Sequence, residues 1–120
     1  MGLNSRKRQV KSIMKERIEN DVFFAIADPT RRKILDILTC GNLALKDISS
    51  NFPITRTAVS KHLRILEQAD LIKSKKTGRE TIYQISPKPL IDVQEWLKTY
   101  SEFWDRKLND LKNFVENNDL

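Results

Sequence analysis

Thr57, Ser60, Lys61 and Arg64 follow one another at helical spacings, which on a helix gathers them on one side. Hydroxyl and cationic side chains so placed can donate hydrogen bonds to phosphate oxygens and base edges, and no acid interrupts them before Glu67. Val59, Leu63 and Leu66 fall on the opposite side, which supplies an apolar stripe to bury. A basic amphipathic helix is also a common solvated surface, so its neighbours must decide between the two readings.

Other residues could carry different chemistry. His62 is the only histidine, and zinc would require roughly four ligands from cysteine, histidine and carboxylate. A single histidine on such a helix more readily contacts nucleic-acid backbone or packs. Cys40 is the only cysteine, so no intramolecular disulfide forms. It is expected to be a small buried hydrophobe, with redox sensing through an intersubunit bond or a capped thiol as the alternative. Trp96, Tyr100, Phe103 and Trp104 could form a ligand cage, but packing area for a long helix is the simpler account. Asp105, Asp110 and Glu116 are too far apart for general acid–base chemistry and read as solvated surface. With no glycine-rich phosphate loop and no nucleophile motif, an enzyme is not expected.

The elements that must position the basic face can be read along the chain. Residues 3 to about 20 carry Val10, Ile13, Met14 and Ile18 at helical spacing, and an apolar run from Val22 to Ala27 follows. Asp28 then Pro29 predict a helix start, and the helix runs to about Thr39, with Ile34, Leu35 and Leu38 inward and Gly41 as a left-handed terminator. Leu43 to Asn51 predicts a short helix with Leu45 and Ile48 buried. Phe52, Pro53 and Ile54 make a turn, and Thr55 caps a helix over about 55–68. Two short helices joined this way have helix-turn-helix geometry. Lys73–Lys76 and Glu80–Ser86 flank Thr77, Gly78 and Arg79, which predicts a two-stranded hairpin with a basic tip, a wing over about 72–86. Leu90 to about Asn117 predicts one long helix with an apolar stripe along its whole length.

The fold class expected is mainly α with a small β-hairpin. At 120 residues the chain is expected to form one domain: N-terminal helices over 1–27, a core over 28–86 and a C-terminal helix over 90–117. Apolar residues make up 39% and charged residues 32%, which excludes a disordered chain. No segment reads as a membrane span or export signal, so a cytoplasmic location is expected. The net charge of +6 suits a polyanionic partner. It is uneven: residues 1–20 and 55–83 each carry +4, whereas 90–120 carry −3. The acidic tail would be repelled by phosphate and must serve another purpose.

A preceding short helix, a proline-containing turn and a basic hairpin together tip the reading towards a helix that enters the major groove of double-stranded DNA beside a backbone-tracking wing. Arg56, Thr57, Ser60, Lys61, His62 and Arg64 on the helix are the candidate contacts, with Lys75, Lys76 and Arg79 on the wing. The stretches DPTRRKIL (28–35), 43–48, TAVSKHLRILEQADLI (57–72) and GRETIYQI (78–85) resemble the ArsR family of winged helix-turn-helix repressors over roughly residues 20–110. Ser60, Lys61 and His62 match that family's recognition helix, and Arg79 and Tyr83 match its wing. The resemblance implies a homodimer joined through its N- and C-terminal helices, repression of a nearby promoter, and release by a signal. Many members place a cysteine pair where this chain has Ala44 and Lys46, and others place histidines on a final helix that here has none. The WLxxYxxFW pattern of 96–104 resembles a branch without the usual metal ligands, so no metal or cofactor is expected and the effector stays open. A protein-interaction module using the basic helices and the long last helix is the alternative.

Overall fold

The computed structural model describes residues 2–118, with the side chains of residues 2–5, 16, 18 and 19 outside the description. Ile18, expected on the first apolar stripe, is therefore among the side chains not described. The chain divides into two units, residues 1–90 and 91–120.

The first unit begins with α1 (Gly2–Glu19) and α2 (Val22–Ile26), which Asp21 separates by capping α2 through its bond from the Phe23 N–H. Next come α3 (Pro29–Leu38), β1 (Leu43–Ala44), α4 (Leu45–Ser49), α5 (Arg56–Gln68), β2 (Ile72–Thr77) and β3 (Glu80–Ile85). Asp28 caps α3 by accepting the Arg31 N–H at 3.0 Å, with Pro29 in the first turn. Ile34, Leu38, Ile48, Leu63, Leu66 and Leu71 are almost fully buried, and they fasten α3, α4 and α5 around one core. Burial of each such side chain contributes about 1.5–3 kcal/mol.

Three expectations change. Leu43 and Ala44 do not open a helix; they pair with Tyr83 and Ile82, so the hairpin becomes a three-stranded antiparallel sheet of order β1-β3-β2. The backbone of Leu43 and Ala44 is paired across to β3, a partner that no local pattern in the sequence announces. Gly41 has φ +148°, a positive angle but not that of a left-handed helix cap, and α3 instead closes at Thr39. Cys40 is exposed rather than buried, because it lies just past that cap where the chain turns out to solvent.

The second unit is α6 (Leu90–Asn118) from its second residue onward. No residue of this 29-residue helix is buried, and its aromatic stripe is open, with Trp104 62% and Phe114 66% exposed.

Candidate nucleic-acid interface

The Thr55 hydroxyl starts α5 by accepting the Ala58 N–H at 3.1 Å. Its far end is closed by two backbone bonds, Leu71 N–H to Leu66 O at 3.0 Å and Asp70 N–H to Glu67 O at 2.9 Å. That pairing is a Schellman motif, with Asp70 at φ +59° in the position glycine usually fills and Leu66 and Leu71, both fully buried, at its two apolar positions. Between these caps Val59, Leu63 and Leu66 are buried, while Arg56, Thr57, Lys61 and Arg64 are exposed and Ser60 is half-buried. The anticipated polar face is therefore open along the helix, above a buried apolar stripe.

In the wing, Thr77 pairs with Glu80, leaving Gly78 and Arg79 as a two-residue loop. Only Gly78 (φ +65°) takes a positive φ there, the pattern of a type II′ hairpin turn. Side chains alternate along each strand, so Lys75 and Lys76 point to opposite faces of the sheet. Lys76 lies across from Thr81 and Ser74 across from Tyr83; Lys75 lies across from Ile82. Thr81 and Tyr83 line a cleft of about 300 Å³ that also takes in Lys46, Arg56 and Arg79, with Glu80 as its one acid. Helix, wing and α4 thus bring three cations to one opening, and of the two wing lysines it is Lys76 that shares their face. Lys75 lines a separate depression with Lys73 and Gln84. Tyr83 titrates above the ordinary phenol range because of burial and then the nearby Glu67 charge, so its hydroxyl stays neutral and available as a donor.

His62 differs from its neighbours. Its Nδ1 lies 3.3 Å from Arg31 Nη1 and 3.8 Å from Asp28 Oδ2, which turns that nitrogen toward α3. Arg31 is only 7% exposed. Its Nε donates to Ala25 O at 2.7 Å and its Nη2 to Phe24 O at 3.0 Å, while the guanidinium lies over the Phe24 ring. Arg32 donates to Ile26 O at 2.8 Å. The first-turn arginines of α3 therefore satisfy the last carbonyls of α2. Burial acts to raise the Asp28 carboxyl, but the Arg31 N–H and the charges of His62 and Arg31 outweigh it and hold the group below its ordinary value. Ionised Asp28 thus adds stability that is complete above the ordinary carboxyl range and is lost as pH falls through the lower folded-state value. Asp28→Ala is expected to cost about 1 kcal/mol near neutral pH. Urea unfolding would show a difference from the parent that shrinks in acid.

Two members of this region were missed in the sequence. Lys46 sits on a short helix away from the main basic cluster, and only folding brings it beside Arg56 and Arg79. Arg31 reads as a surface cation, although its place four residues before Leu35 put it on the inward stripe of α3. Among the described residues no cluster of three or more histidine, cysteine or acidic side chains is placed to hold a metal, and no helix is long and apolar enough to cross a membrane.

A capped basic helix following a short helix and turn, with a three-stranded basic wing behind it, defines a winged helix-turn-helix protein. Residues 28–74 match the family described as bacterial regulatory protein, arsR family. The transcriptional repressor SdpR of Bacillus subtilis is 39% identical over 89 residues, covering 74% of this chain and 99% of that protein. The HTH-type transcriptional regulator Rv2034 of Mycobacterium tuberculosis is 34% identical, over 77% of this chain and 83% of its own length. A solved ArsR family transcriptional regulator superposes with a TM-score of 0.64 at 30% identity, over 76% of this chain and 92% of that one. The chain belongs to the ArsR family of transcriptional regulators.

Proposed function

We propose that this protein is a homodimeric, cytoplasmic, non-enzymatic repressor that binds a palindromic operator near its own or a neighbouring promoter. The observation that carries the reading is the exposed polar face of α5 beside the cleft of Lys46, Arg56 and Arg79. Arg56, Thr57, Ser60, Lys61 and Arg64 reach the major groove, and Arg79 and Lys76 hold the phosphate backbone. Residues 28–86 act as the DNA-binding core. The dimer forms through α1 and α6, and the exposed stripes of both support it: Val10, Ile13 and Met14 on one, Trp104, Leu108 and Leu111 on the other. The aromatics of α6 then serve as packing area against a second copy.

Anisotropy with a palindromic promoter duplex and a scrambled one tests the proposal. Much tighter binding of the palindrome, falling steeply as salt rises, is expected. A monomer with no preference between the duplexes would favour the protein-interaction reading instead. The wing makes a sharper prediction. Lys76→Ala is expected to reduce the slope of log affinity against log salt by about 1, with affinity falling alike on all sequences. Lys75→Ala, on the opposite face, is expected to leave the slope close to that of the parent, and equal slopes for the two variants would count against the assignment of faces.

A further inference from the structure

His62 lies in the recognition helix, yet its Nδ1 meets one donor and one acceptor, both from the start of α3. An imidazole nitrogen without a proton can accept from Arg31 Nη1; the same nitrogen with a proton can only donate. Arg31 cannot answer by giving up its own proton, since a guanidinium stays charged, and its Nε and Nη2 are already committed to Ala25 O and Phe24 O. Asp28 Oδ2 is then the acceptor within reach, but at 3.8 Å it requires the ring to move. Among the described residues Asp28 and Arg31 are the charged groups that bond or pair with His62; of the other elements packed on α5, α2 carries no titratable side chain, α4 carries Lys46 and Asp47, and β2 carries Lys73, Lys75 and Lys76.

We propose that His62 is a positioning residue that makes operator binding respond to protons. Without a proton on Nδ1, the Arg31 bond ties α5 to α3 and, through Arg31, to the end of α2. Taking up a proton on Nδ1 breaks that bond, turns the ring toward Asp28 and shifts the polar face of α5 relative to the wing. Arg56, Lys61 and Arg64 then no longer meet the groove in register with Arg79. The inference rests on the DNA-binding reading of the same helix, and acid becomes a signal that loosens the complex.

The test compares operator affinity of the parent and of His62→Gln at pH about 8 and about 5.5, the range over which a histidine can change charge. The glutamine of that variant can accept from Arg31 through its side-chain oxygen and takes up no proton. The parent is expected to bind more weakly at the lower pH, with the loss of one hydrogen bond to a charged donor setting about tenfold as the upper limit of the effect. His62→Gln is expected to lose the pH response, binding the operator alike at the two pH values whatever its affinity relative to the parent. Equal pH responses in the two proteins would overturn the proposal. Nitrogen-15 spectra of the parent's single imidazole, without DNA, give an independent readout. At the higher pH the neutral ring is expected to carry its proton on Nε2 with Nδ1 accepting; a proton on Nδ1 there would overturn the proposal even if His62→Gln failed to fold. Failure of the parent to prefer its operator at the higher pH would instead overturn the DNA-binding reading, while the spectra still decide the state of Nδ1.

Discussion

Arg31→Met is expected to destabilise the protein by about 2–4 kcal/mol, because a buried cation that bonds two carbonyls is replaced by a side chain that can bond neither. Phe24 O would keep the Ala27 N–H, but Ala25 O would lose the 2.7 Å bond from Nε, and α5 would lose its polar tie to α3 through His62. Arg31→Lys is expected to recover only part of the loss, since a single ammonium cannot span the carbonyl pair and the imidazole as a planar fork does. Arg32→Met is the internal control: Arg32 is exposed and makes one bond to Ile26 O, so a change within about 0.5–1 kcal/mol is expected. Urea midpoints of the three variants measure this directly. Equal losses at Arg31 and Arg32 would mean that burial of the first cation is not what joins α2 to α3.

The second large effect concerns DNA. Lys61→Ala is expected to weaken operator binding by about 1–3 kcal/mol and to relax preference at the base pairs it faces. Because Lys61 is exposed on a helix whose opposite side is buried, the unfolding midpoint is expected to stay within about 0.5 kcal/mol of the parent. A uniform loss on operator and scrambled duplexes alike would make Lys61 a phosphate contact rather than a base-reading one.

How much of this was legible in the sequence depends on whether the cause is local. Asp28 with Pro29, and Thr55 before an alternating apolar stripe, set helix starts through bonds within one turn, and α3 and α5 begin where those residues predict. The strand at Leu43–Ala44 depends on pairing with residues 82 and 83, some forty positions away, and two residues carry too little pattern to reveal it. Arg31 was obscured by its charge, although its spacing from Ile34, Leu35 and Leu38 was that of a buried stripe. Strand alternation alone separates Lys75 from Lys76, but only the cleft lined by Thr81 and Tyr83 shows which face matters. Lys46 joins that cleft through tertiary proximity to Arg56 and Arg79, which no local spacing encodes.

In the proposed function a second copy of this chain and the exposed face of α5 together read a defined DNA sequence. Selection of bound duplexes from a random pool, with purified protein and no added ligand, tests it most directly. Enrichment of one inverted repeat is expected, with half-sites about one or two helical turns apart, roughly 10 or 20 base pairs. A pool that stays unenriched after repeated rounds, while bulk binding persists at low salt, would contradict it.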